Sequence, residues 1–91
     1  MYQLNLTIHG RVQGVGFRWS VMKKAKSLGL VGYVKNLVNG IVEVLVEGDK
    51  EDLKKLLEYC KIGPLLAHVE IVGEKWESLD ILHFKIFEIR F

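Results

Sequence analysis

Three glycines fall within seven residues, Gly10-Arg11-Val12-Gln13-Gly14-Val15-Gly16, and the chain then runs directly into Phe17-Arg18. Glycines at 14 and 16 let a backbone turn back and approach a ligand with no Cβ in the way. Where such a loop opens a helix, its N–H groups have no intrahelical partners and point outward together. They form an anion site, which the helix dipole reinforces. Arg18, in the first helical turn, adds a guanidinium fork that grips two phosphate oxygens. A cation at a helix N-terminus costs roughly a few tenths of a kcal/mol unless an anion compensates it. A tight strand-to-helix turn with a solvated Arg18 fits the loop equally well, so the loop alone leaves both readings open.

Other chemistries are set aside by spacing. No Lys-Ser or Lys-Thr pair ends the loop, so it is not a Walker A motif. Trp19 stands where a dinucleotide fingerprint needs its third glycine. His9, His68 and His83 are too scattered for zinc, and no metal or other cofactor is expected. Cys60 lies on the apolar stripe of a helix and reads as a core thiol. The following Lys61-Ile62-Gly63-Pro64 builds no anion loop of the kind a cysteine phosphatase uses. His9 and Arg11, beside the glycine loop, read as solvated surface residues.

The elements that must position these residues follow from periodicity. Tyr2, Leu4, Leu6 and Ile8 alternate with Gln3, Asn5, Thr7 and His9, as in a half-buried strand. From Phe17 the period becomes helical through Val21, Ala25 and Leu28, with Gly29 as the stop. Strands are predicted over 31–37 and 41–47, joined by Asn39-Gly40, a strong hairpin signal. Asp49 is the expected N-cap of a second helix with Leu53, Leu56, Leu57 and Cys60 on its apolar stripe. Gly63-Pro64 closes it. A fourth strand is expected over 67–72, then a polar loop, then a last strand over 82–90. In that last segment Phe84 and Ile86 are out of phase with Phe87, Ile89 and Phe91, which implies a bulge or burial on both faces.

This order is the split βαβ pattern of an α+β, ferredoxin-like sandwich: an antiparallel sheet of four to five strands with two helices on one face. At 91 residues the chain is expected to form a single domain over 1–91. Hydrophobic residues at 49% and charged residues at 26% are those of an ordered globular chain. Thirteen Lys and Arg against eleven Asp and Glu leave a net charge of +2, too little for a nucleic-acid footprint. No stretch approaches the ~20 apolar residues needed to cross a bilayer. The first residues alternate, with no basic leader or cleavage site. A single cysteine forms no intramolecular disulfide, which points to a reducing, cytoplasmic compartment. A monomer is expected, since no sustained exposed apolar patch is evident.

Residues 10–18 with Gly32-Tyr33-Val34-Lys35-Asn36 and Gly40-Ile41-Val42-Glu43-Val44 closely resemble the acylphosphatase family. Val46-Glu47-Gly48, Gly63-Pro64 with Ala67 and Val69, and Phe87-Glu88-Ile89-Arg90-Phe91 extend the resemblance over the whole chain. Two small departures, Asn39 where an Asp is commoner and Tyr33 where a Trp is frequent, touch the turn and packing only. The resemblance implies a small enzyme that hydrolyses acyl phosphates to a carboxylate and inorganic phosphate without metal or cofactor. It implies that Arg18 binds the phosphate, that Asn36 orients the attacking water, and that the backbone of Gln13, Gly14, Val15, Gly16 and Phe17 is the phosphate cradle. The chemistry agrees with such a site. The leaving group is a carboxylate, already stable as an anion at neutral pH, so no general acid is needed, and phosphoryl transfer rests on positioning and charge neutralisation. The competing reading is a non-catalytic anion- or acyl-phosphate-binding module, a domain that also fronts larger hydrogenase-maturation carbamoyl-transfer proteins. A ferredoxin-like RNA binder would need stacked aromatics on the central strands, where Val42, Val44 and Val46 stand instead.

Overall fold

The computed structural model describes residues 1–91. The chain forms β1 (Tyr2–Arg11), α1 (Phe17–Ser27), β2 (Val31–Asn36), β3 (Val42–Gly48), α2 (Lys50–Ile62), β4 (His68–Ser78) and β5 (Phe87–Arg90). The strands lie in one sheet in the order β4-β1-β3-β2-β5. Alternation decides what each strand buries. Leu4, Leu6 and Ile8 of β1 stand directly opposite Val46, Val44 and Val42 of β3 and share one face. All six are fully buried. Val21 and Ala25 of α1 and Leu53, Leu56, Leu57 and Cys60 of α2 cover that face, in a core of 17 residues. Each large aliphatic side chain so removed from water contributes about 1.5–3 kcal/mol.

The expected antiparallel sheet needs one correction: it is mixed, because β5 runs parallel to β2 while the other three pairings are antiparallel. The reason is geometric. β4 and β3 both run against β1, so β4 ends at the edge of the sheet from which β2 starts. A connector crossing the sheet there delivers β5 in the same direction as β2. The last two strands also differ in extent from the periodicity. The fourth continues through the polar stretch to Ser78, and the last is only Phe87–Arg90. The segment 79–86 between them is not strand. It crosses the outer face of the sheet, where Phe84 packs edge-on against Tyr33, 5.9 Å between ring centroids. Asp49 occupies the N-cap of α2 as expected, but its side chain makes no capping bond.

The crossing segment is fastened by one carboxylate. Glu47, on the outer face of β3 opposite Gln3, has an exposure of 0%. It accepts hydrogen bonds from the Gln3 amide at 2.7 Å and the His83 backbone N–H at 2.6 Å, and pairs with His83 Nδ1 at 2.8 Å. Burial pushes its pKa up, but the His83 N–H, the Gln3 amide and the His83 ring outweigh burial and hold it below the usual glutamate range. A carboxyl with a lowered folded pKa stabilises the fold above its unfolded pKa, and that contribution fades as pH falls through the folded value. Glu47→Ala should therefore cost about 1–3 kcal/mol of unfolding free energy at pH 7, since it removes the acceptor shared by the half-buried Gln3 amide and by the His83 backbone N–H and ring. Urea denaturation at pH 7 and at about pH 3, below the ordinary glutamate value, checks this. The difference between parent and variant should shrink in acid; a difference independent of pH would contradict the assignment.

Candidate active site

The site begins where β1 stops. Glu70 of β4 is inserted as an extra residue opposite the His9–Gly10 step, and this bulge bends the end of the strand. At Gly10 a Cβ would lie 2.2 Å from the His68 carbonyl oxygen, so only glycine allows β4 this close. Beyond Arg11 the loop is pinned at both ends: Val12 is 1% exposed and Phe17 is 2% exposed, both part of the core. Between them Gly14 and Gly16 adopt φ 75° and 78°. A Cβ at either would meet nothing within 4 Å, so the requirement there is backbone conformation rather than space.

This path leaves a row of free donors. None of the N–H groups of Gln13, Gly14, Val15 and Gly16 donates to a backbone carbonyl. Gly16 is the N-cap of α1 without a side-chain capping bond, and the first turn carries no acidic residue. Ser20 N–H is the amide that closes the first turn, donating to Gly16 O at 3.1 Å. Helical geometry gives Phe17, Arg18 and Trp19 no such partner.

Arg18 pairs with no carboxylate. Its Nη1 reaches the Arg90 carbonyl at 3.5 Å, and its guanidinium lies over the Phe91 ring, 4.7 Å from the centroid. Asn36 is the last residue of β2, opposite Val42. Its Oδ1 is buried and has no hydrogen-bond partner. The Gln13 side chain ties the loop to this strand end: Nε2 donates to Leu37 O at 2.8 Å and to Ile41 O at 3.1 Å, across the hairpin that follows Asn36. Gly14, Gly16, Arg18 and Asn36 converge on one cleft of about 170 Å³. Larger grooves of about 470 and 510 Å³ run along α2, but each sets two glutamates among three lysines, so most of the positive charge there is already offset. No His, Cys, Asp or Glu lines the 170 Å³ cleft. Its lining can bind an anion and offer a water one unpaired acceptor.

The acylphosphatase family model matches residues 4–89. The chain belongs to the acylphosphatase family. It is 48% identical over 83 residues to an acylphosphatase of Thermococcus kodakarensis, covering 90% of this chain and 91% of that one. An acylphosphatase of Thermus thermophilus is 51% identical over 88 residues, 96% of this chain and 100% of that one. The crystal structure of the acylphosphatase from Bacillus subtilis superposes with a TM-score of 0.94 at 36% identity, covering both chains fully. Full-length HypF, in its phosphate- and nucleotide-bound form, matches 99% of this chain but only 12% of its own length, at 29% identity and a TM-score of 0.85. The activity is therefore acyl phosphate hydrolysis, and a purely binding module is not favoured. No helix is long and apolar enough to cross a membrane.

All the residues expected at the site lie on the loop, the first turn of α1 or the end of β2. Phe17 also contributes a buried ring, which packs beside Gly63, while Val15 packs on the edge of the core. Arg11 is exposed, and neither His9 nor Arg11 lines the cleft. Burial pushes the Cys60 thiol up to about 12, consistent with an inert core residue. Periodicity gave no sign of the Gln13 side-chain clamp, or of Trp19, Ile89 and Phe91 as cleft walls. Removing the clamp in Gln13→Ala should cost about 1–2 kcal/mol. It should also speed amide exchange at Leu37 and Gly40, which close the hairpin. Exchange rates equal to the parent's would show that the clamp holds nothing.

Proposed function

We propose that the phosphoryl group of the substrate sits in the 170 Å³ cleft, held by the backbone N–H groups of Gln13 to Phe17 and by Arg18. Asn36 positions the attacking water. The observation that carries this reading is that three kinds of group with capacity to spare face one cleft: loop amides without backbone acceptors, a guanidinium with no carboxylate, and a buried amide oxygen with no hydrogen-bond partner. Groups already held in place stabilise charge without reorganising as the reaction proceeds.

The steps follow from the groups present. The water donates a hydrogen bond to Asn36 Oδ1, which turns its lone pair toward phosphorus. As the new P–O bond forms, the bond from phosphorus to the acyl oxygen breaks and its electron pair leaves on the carboxylate. Arg18 and the amides neutralise charge on the equatorial oxygens throughout. The water's proton passes to a phosphoryl oxygen of the substrate itself, because no side chain in the cleft accepts protons near neutral pH. Inorganic phosphate and the carboxylate are the products. We also propose that the enzyme works as a monomer in the cytosol, a reading supported by the single, buried, unpaired thiol of Cys60.

Hydrolysis of benzoyl phosphate in EDTA, followed by ultraviolet absorbance, tests the assignment. Arg18→Gln should lower kcat/KM by about 10³-fold and weaken inhibition by phosphate. Asn36→Ala should lower kcat by about 10²-fold with KM little changed, since Asn36 acts on water rather than on substrate. Between about pH 6 and 8, where a histidine would titrate, kcat should stay flat. A folded parent that is idle, yet melts higher with phosphate, would return the site to pure anion binding.

A further inference from the structure

The phosphoryl cradle accounts for only part of the cleft. Gly14, Gly16, Arg18 and Asn36 supply its polar lining, whereas Val12 and Phe17 close its floor and Trp19, Ile89 and Phe91 stand at its rim. Tryptophan is highly buried on average, and phenylalanine is among the residues most often fully buried. Yet Trp19 is 57% exposed and Phe91 is 92% exposed. Each ring has a cation against it. The Lys23 ammonium lies 5.0 Å from the Trp19 ring, and the Arg18 guanidinium 4.7 Å from that of Phe91. Such contacts orient a ring at modest energy and leave the rest of its surface free. Trp19 also separates the cleft from a second groove along α1, about 330 Å³ in volume, so it forms a wall with open space on both sides.

Because the cradle takes the phosphoryl oxygens, the acyl group of a bound acyl phosphate has to leave the cleft past this rim. We infer that Trp19 and Phe91 form an acyl-group subsite that selects aromatic and bulky apolar acyl phosphates over acetyl phosphate. The inference rests on the hydrolytic reading above and extends it from the phosphoryl half of the substrate to the acyl half. An aromatic acyl group buries apolar area against both rings, whereas an acetyl group is too short to cover either. Pocket contacts of this kind discriminate by about 10- to 200-fold.

The test is the ratio of kcat/KM for benzoyl phosphate to that for acetyl phosphate. The parent should prefer benzoyl phosphate by at least about tenfold. Trp19→Ala should lower the ratio about tenfold and Trp19→Phe should restore most of it. Trp19 is largely exposed on a helix, so neither change threatens the fold. Phe91→Ala should lower the ratio and also slow both substrates, through the contact with Arg18. Equal losses on both substrates in Trp19→Ala, or a ratio within about twofold of the parent's, would overturn the subsite. Calorimetric titration of phenacylphosphonate against acetonylphosphonate, neither of which can be hydrolysed, reads the same preference without turnover. A parent that binds phenacylphosphonate more tightly but hydrolyses neither acyl phosphate keeps the subsite and loses the catalytic reading. Equal affinity for the two phosphonates removes the subsite whatever the hydrolytic rates.

Discussion

The proposed site depends on a loop whose amides are left without protein acceptors, and such a loop holds its shape only if something else fixes it. Here the fixing is done by burial at both ends. Val12 and Phe17 are inserted into the same core, so the residues between them form a short span with few accessible paths. Two left-handed glycines are the conformational price of closing it. Side-chain hydrogen bonds alone could not substitute, because donors spent on protein acceptors would no longer be free for a ligand. The same reasoning explains why the N-terminus of α1 has no capping side chain and no acidic residue in its first turn. Either would occupy or neutralise the positive end of the helix.

The lack of His, Cys, Asp and Glu in the proposed site suits the acyl phosphate substrate class. A phosphate ester needs its leaving alkoxide protonated, whereas a mixed anhydride releases a carboxylate that needs no proton. The cleft can therefore be small, with glycine backbone, Arg18 and Asn36 as its polar lining and apolar side chains as the rest of its wall. Arg18 is kept from the carboxylates that would neutralise it. Its neighbours are a carbonyl oxygen and an aromatic ring, which orient a guanidinium while leaving its charge available.

Much of this is legible in the residues because burial and alternation coincide in the central strands. Leu4, Leu6 and Ile8, and likewise Val42, Val44 and Val46, face a core covered by helices, so period two shows directly. The glycine loop, Arg18 and the position of Asn36 are legible for a related reason: each sits at a strand or helix end that those patterns locate. The edges of the sheet are where the pattern fails. β4 has a sheet neighbour on one side only, and Glu74, Lys75 and Glu77 are solvated along it, so its second half reads as a loop while pairing with β1. Near the other edge, the two phases of Phe84 and Phe87 reflect neither a bulge nor a doubly buried strand. Phe84 belongs to a segment crossing the outer face, and Phe87 enters the core from the inner one. The walls contributed by Ile89 and Phe91 were hidden for the same reason, since they follow from β5 lying parallel to β2 beside the start of α1.

This placement links a distant carboxylate to the cleft. β5 has four residues and one sheet neighbour, which is little to hold an edge strand in register. Its approach is fixed before it begins, by Glu47 gripping His83 and by the Gly32 N–H donating to the Ile86 carbonyl at 2.9 Å. The strand then carries the Arg90 carbonyl and the Phe91 ring to Arg18. Freedom at residues 79–86 would thus be felt as freedom of the guanidinium. Misplacing a charge-stabilising group by even about 1 Å is enough to cost a large factor in rate. A buried, fully hydrogen-bonded glutamate on the far face of the sheet is in this sense part of how the cleft keeps its arginine in place.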